Sequence, residues 1–318
     1  MYIPCTKWLV ERPVSIQLSA RDTRENKTGD HEVMRHSTMC FLWGILSVLM
    51  SCDAKSGAQV AQPAKELVTP KAGPTDVFDL GNRVKLEMAW IPPGTFTMGS
   101  PSTEENAHED EIQHHVQLTK GYWLGKTEVT QAQWEQVMGT NPSANKGQDL
   151  PVENVSWKDC KEFIQRLNAR LSGKGGGFRL PTEAEWEYAC RAGGRGRYCF
   201  GDNDAELGVY AWYEGNSKGK TKPVGTRRAN ALGLYDMHGN VREWCEDSCE
   251  EYRSGNVTDP LARATHLPDR ITRGGSYDDD ATYCRSAYRG DTGSLAQSGD
   301  LGFRLARTDI AREKATER

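Results

Sequence analysis

The apolar positions of this chain change period as they run. From residue 84 to 98 they alternate and then turn, in Leu86-Glu-Met-Ala-Trp-Ile-Pro-Pro-Gly-Thr-Phe-Thr-Met-Gly99, which predicts two short strands around Pro92-Pro93-Gly94. The acidic stretch 104–111 then reads as a solvated loop leading into a strand over 115–119. Its histidines, His108 with His114 and His115, are a weaker metal candidate. Next the period lengthens to three and four. Thr130 with Gln133, Ser156 with Asp159 and Thr182 with Glu185 each place a capping residue three positions before an acceptor, opening three helices. Their stops are Gly139, Gly173 and Gly193. One face of the second carries Cys160, Phe163, Ile164, Leu167 and Leu171, which belongs in a core. Trp134, Trp157 and Trp186 read as packing residues, and Cys160 and Cys190 as buried thiols. Beyond Gly193 the chain is turn-rich. Near its end, Arg273-Gly-Gly-Ser276 is followed by an acidic run and Cys284, and the alternation after Cys284 predicts a strand.

Composition narrows the class. The 318 residues, 37% hydrophobic with nine tryptophans, suffice for a sizeable core. A net charge of −4 without a long basic run disfavours nucleic acid as a partner. Six of the nine cysteines lie in the body, an even count that permits disulfides but does not assign them. Cys245 and Cys249 form a CxxxC pair with no second pair to complete a zinc site.

The first 75 residues divide into three. Residues 1–33 are polar and aperiodic, and read as a start-site artefact or a leader. Residues 34–52 hold a basic start at Met34-Arg-His36, an apolar run over 39–50, and Leu49-Met-Ser-Cys52. The run is too short to span a bilayer. The pattern is that of a secretory signal ending in a lipoprotein-type processing site, with Cys52 lipidated. A buried apolar helix of an N-terminal domain is the alternative. Residues 53–75, rich in Ala, Gln, Lys, Gly and Pro, read as a flexible tether. The organisation implies an exported, membrane-anchored protein of the cell envelope, a main domain over 76–308 and a polar tail over 309–318.

Seven segments of the main domain stand out in order. They are Ile91-Pro-Pro-Gly-Thr-Phe-Thr-Met-Gly-Ser100, Glu128-Val-Thr-Gln131, Pro151-Val-Glu-Asn-Val-Ser-Trp157, Arg179-Leu-Pro-Thr-Glu-Ala-Glu-Trp-Glu-Tyr-Ala189, Gly233-Leu-Tyr-Asp-Met-His-Gly-Asn240, Arg273-Gly-Gly-Ser276 and Gly302-Phe-Arg-Leu-Ala306. Together they resemble the sulfatase-modifying-factor, or formylglycine-generating-enzyme, family. The resemblance implies an α+β domain, a variant of the C-type-lectin-like fold with short twisted strands, about three main helices and much loop.

It also implies two ion sites. The family's oxidases convert a cysteine of a client sulfatase to formylglycine with oxygen and copper held by a Cys-x4-Cys pair. Cys284 falls on the second cysteine, but Asp279 stands at the first, and a carboxylate does not replace a thiolate for Cu(I). Arg242 stands where many members have tryptophan, and Asp300 where asparagine is frequent. Ser276 matches. The resemblance further implies a structural calcium site at Asp236, Gly239, Val241 and Glu243, with two side-chain carboxylates and two main-chain carbonyls. Hard oxygen donors of this kind suit Ca2+. Three functions stay open: an accessory or binding domain whose face is the stretch 278–288, an oxidase using Cys284 and Ser276, and a tethered structural protein. Candidate partners are a client sulfatase, another envelope protein or a small ligand.

Overall fold

The computed structural model describes residues 71–173, 176–253, 255–263 and 269–309. The signal segment, Cys52 and most of the tether and tail lie outside the described residues. The strands are β1 (Thr75–Asp79), β2 (Lys85–Ile91), β3 (Gly94–Met98), β4 (His114–Leu118), β5 (Tyr122–Gly125), β6 (Phe178–Arg179), β7 (Arg242–Ser248), β8 (Val257–Thr258), β9 (Asp269–Arg273), β10 (Gly290–Gly293), β11 (Leu301–Gly302) and β12 (Ala306–Thr308). The helices are α1 (Gln131–Met138), α2 (Trp157–Arg170), α3 (Glu183–Arg191) and two single turns, α4 (Leu207–Tyr210) and α5 (Glu214–Ser217).

Three sheets result. The first has the order β1-β2-β5-β12-β6, so a strand from near the C-terminus lies between strands of the first half. The second is β10-β9-β7-β11 and the third β3-β4-β8. The strands either side of Pro92-Pro93 are as expected but join different sheets, because proline supplies no N–H for a hairpin ladder.

All three capping boxes form. Thr130, Ser156 and Thr182 accept from the third helical N–H, and the third side chain accepts in return. These bonds satisfy N–H groups that every helix start leaves without a partner. α1 ends at Gly139 in a left-handed conformation, as expected. α2 ends before Gly173, with Leu171 as its cap, and α3 ends on Ala192, itself left-handed at φ 48°. The apolar face of α2 meets Trp134, Phe303 and Trp244 in one core, where Trp134 stacks on Phe163 at 5.2 Å. Cys160 and Cys190 are buried, and burial pushes both thiols up. Trp157 is only partly buried. Its indole N–H donates to the Cys245 carbonyl at 2.9 Å.

The six described cysteines, whose even count left disulfides open, are all free. The strand expected after Cys284 does not form. Cys284 ends a 3-10 turn, Ala281–Cys284, and no strand follows it until β10. The basic residues after it do not alternate toward solvent, because each turns inward to a carboxylate. Arg285 binds Glu111 through both terminal nitrogens at 2.7 Å, and Glu104 at the same distance. Arg289 binds Glu183 at 2.7 and 3.1 Å, and Arg273 binds Glu183 and Glu187. The acidic loop 104–111 is therefore not simply solvated: its last residue, Glu111, is buried beneath Arg285. Such buried pairs add little net stability but are costly to break one-sidedly, about 3–5 kcal/mol.

Candidate functional site

The glycine pair after β9 builds the site. Gly274 and Gly275 both hold positive φ, at 98° and 67°. A Cβ on Gly275 would stand 2.8 Å from both Cys284 Sγ and the Tyr283 carbonyl. Only glycine lets the chain turn here and lie against the cysteine. Ser276 comes out of the turn fully buried. Its hydroxyl donates to Asp279 Oδ2 at 2.8 Å and accepts the Asp278 N–H.

Asp279 faces Arg242, the first residue of β7. Nε donates to Oδ2 at 2.9 Å and Nη2 to Oδ1 at 2.6 Å, a two-pronged pair. Asp300 adds a weaker contact to the same guanidinium at 3.5 Å. Arg242, Asp279 and Asp300, the three positions where a departure from the family pattern was expected, thus form one ion cluster beside Ser276. The Arg242 side chain remains 34% exposed, so the cluster opens to solvent. Cys284 lies beneath it, fully buried. Burial, and then the charges of Asp279 and Asp280, push its thiol well above the ordinary range. A protonated, enclosed thiol is a poor nucleophile and a poor metal ligand. Of the stretch 278–288 the outer residues reach solvent, with Tyr283 edge-on to Tyr288 at 5.1 Å and His108 edge-on to Tyr288 at 5.3 Å. Residues 284–287 are buried.

The second implied site is wholly interior. Glu243 accepts from Arg304 at 2.6 Å on each oxygen and from the Trp186 indole at 2.7 Å. Asp236, in a left-handed conformation at φ 58°, accepts the Gly225 N–H at 2.7 Å through Oδ2. Its Oδ1 is buried and has no hydrogen-bond partner among the described residues. Burial, partly offset by that N–H and by Arg304, raises Asp236 to about 6. A third carboxylate, Glu128, joins them. It accepts from the Asn240 side chain and the Val241 N–H, and burial and then Asp236 push it well up. Its place in Glu128-Val-Thr-Gln131 was visible in the sequence, but its role there was not. Gly239 passes so close to Trp212 that a Cβ would lie 2.2 Å from that carbonyl. Three carboxylates thus surround one guanidinium. Among the described residues no three His, Cys, Asp or Glu side chains come together as a metal site, the histidines of the acidic loop included.

The fold and the order of these segments define a class. The chain belongs to the sulfatase-modifying factor enzyme 1-like domain family, matched over residues 78–309. It is 31% identical over 290 residues to a protein of Paenibacillus barcinonensis named chaperone protein LppX, covering 76% of this chain and 97% of that one. It is 35% identical over 216 residues to the formylglycine-generating enzyme of Streptomyces coelicolor, covering 62% of this chain and 64% of that enzyme. A Bos taurus relative named inactive C-alpha-formylglycine-generating enzyme 2 is 27% identical over 270 residues, covering 81% of this chain and 84% of that protein. Among solved structures, Treponema denticola variable protein 1 superposes with a TM-score of 0.67 at 31% identity, covering 73% of this chain and 98% of that one. The α+β architecture, with few helices and much loop, agrees with the C-type-lectin-like variant the sequence implied.

Proposed function

We propose that this chain is an accessory or binding member of its family, exported and anchored in the cell envelope, without the copper oxidase reaction. The observation that carries this is the Arg242–Asp279 ion pair at the position of the first copper cysteine. The residues present do not fit Cu(I). One donor is a carboxylate already held by a guanidinium and a hydroxyl, and the other is a buried thiol kept protonated. The name chaperone on the Paenibacillus relative, and the name inactive on the Bos taurus relative, support a non-oxidase role. The lipoprotein-type Leu49-Met-Ser-Cys52 supports the anchor, and no described helix is long and apolar enough to cross a membrane. The half-open cluster with Tyr283 and Tyr288 is the surface for an envelope client or small ligand.

For calcium the fit is partial. Asp236 offers a buried oxygen in need of a partner, and the carbonyls of Gly239 and Val241 would complete a hard-oxygen set. Glu243 is already engaged by Arg304 and Trp186. An ion there would neutralise a buried surplus of carboxylates and hold the loop before β7.

The alternative is an active oxidase, with Cys284 as the reactive thiol and Ser276 positioning oxygen or substrate. The 35% identity to the Streptomyces enzyme favours it. Incubation with Cu(I), oxygen and a Cys-x-Pro-x-Arg peptide decides between them. The accessory reading expects no formylglycine and no stoichiometric copper. Turnover that is lost in Cys284→Ser would overturn it.

A further inference from the structure

Next to the Arg242–Asp279 pair lies a set of oxygens that no part of this pairing uses. Glu153, two residues past the bridge between Thr130 and Pro151, is fully buried. Its Oε1 accepts the Asn145 N–H at 2.9 Å. Its Oε2 is buried and has no hydrogen-bond partner among the described residues. A buried acceptor left unmatched is unfavourable, so Oε2 calls for a donor.

A loop covers it. The Asn154 N–H donates to the Ser298 carbonyl at 2.9 Å, which fixes the loop at that point. The next residue is Gly299. A Cβ there would stand 3.7 Å from Tyr277 Oη and 3.9 Å from Glu153 Oε2, so the two oxygens flank a place where this chain has no side chain. Asp300 follows. Its Oδ1 accepts from the Ser298 hydroxyl, and its Oδ2 lies 3.5 Å from Arg242 Nη2. Its side chain is 18% exposed, so Asp300 itself meets solvent. The groups sense one another. Burial raises Glu153, opposed by main-chain donors at Asn145 and Ala144, and Asp300 adds to the rise. Tyr277 is raised by burial and then by Asp300, Asp278 and Glu153.

We propose that Glu153 Oε2, Tyr277 Oη and Asp300 form a subsite for a primary ammonium group of the bound ligand or client, entering over Gly299. The proposal rests on the accessory-domain reading and names the chemistry that such a surface selects. An ammonium brings three donors, no acceptor and one compact positive charge. That matches two carboxylates and a phenol oxygen. A guanidinium is planar and asks for a two-pronged carboxylate, whereas Glu153 offers a single uncommitted oxygen. A metal ion is the poorer match, since no three acidic, histidine or cysteine side chains among the described residues are arranged to share one.

The test titrates the full-length protein with Nα-acetyl-lysine methylamide and with the same compound acetylated on Nε, followed by NMR or calorimetry. Saturable binding of the amine is expected, at least tenfold tighter than that of the Nε-acetyl compound. Glu153→Gln keeps shape and volume, and should weaken amine binding at least tenfold. Asp300→Asn should weaken it less. Equal binding of the two compounds, or unchanged binding in Glu153→Gln, overturns the proposal. Saturation of this subsite by Ca2+ instead, abolished by Glu153→Gln, also overturns it. The first comparison uses unaltered protein, so misfolding of a variant cannot mimic its result. Formylglycine production is a separate readout, so failure of the accessory reading is distinguished from failure of the subsite.

Discussion

Two clusters in this protein set carboxylates around a single arginine, and they answer to different physics. At the surface, Arg242 meets Asp279 and Asp300 with its side chain 34% exposed. In the interior, Arg304 meets Glu243, with Glu128 and Asp236 close by, and none of the four is more than 2% exposed. Water reaches the first cluster and screens its excess charge. The second has no such screen. Its surplus carboxylates must share protons, or a cation, to remain in the core. Burial, more than the tally of charges, separates a cluster open to water from one that holds the fold together.

The largest test of that contrast is Glu243→Ala. It leaves the Arg304 guanidinium buried beside weaker partners and should cost about 3–5 kcal/mol in urea unfolding. A loss below about 1 kcal/mol would mean that the interior cluster is not structural.

The next test uses pH. Asp236 titrates near 6 in the folded chain against an ordinary 3.8, so the folded state holds its proton more tightly than the unfolded state. The stability this contributes is complete below the ordinary value and disappears as pH rises through 6. Asp247, raised to about 8 by burial and then by Glu183, extends the decline. His238 acts in the opposite sense. Burial lowers it from 6.5 to about 4, so its contribution is present above 6.5 and is lost as pH falls toward 4. Asp236→Asn should therefore flatten the fall in stability between pH 4 and 7, by on the order of 2–3 kcal/mol. If an ion replaces the proton, millimolar Ca2+ should raise the melting temperature of the parent protein at pH 7.5 and not that of Asp236→Asn. An unchanged slope in the variant would dismiss Asp236 as its source.

The smallest effect is expected from Arg242→Ala. The partly exposed pair should cost about 1 kcal/mol or less. A loss as large as that of Glu243→Ala would erase the distinction between the clusters and recast the surface one as part of the core.

The three helices were legible because a capping box is written within four consecutive residues, and its bonds close locally. Ser276 and Asp279 were singled out only through the family resemblance, the one as a match and the other as a departure. The pairing of Arg242 with Asp279 was not, since 37 residues separate them and each alone reads only as a departure from a family pattern. The stretch after Cys284 misled, because Arg285 and Arg289, four apart among apolar residues, imitate a strand while their guanidinium groups in fact seek buried glutamates far away in sequence, Glu111 and Glu183. Glu153 gave no signal at all. Nothing beside it in sequence says that one of its oxygens will be enclosed without a donor.

By itself, then, the sequence determined the elements whose stabilising contacts lie within a few residues: the capped helices, the strands around Pro92-Pro93, and the glycine turn before Ser276. The order of its motifs determined the family and the α+β class. Only the tertiary structure decided which charges meet, which oxygens are sealed from water, and that Asp279 is held in a salt bridge by Arg242. Such outcomes depend on long-range proximity and on local exclusion of solvent, and neither is encoded in the spacing of residues along the chain.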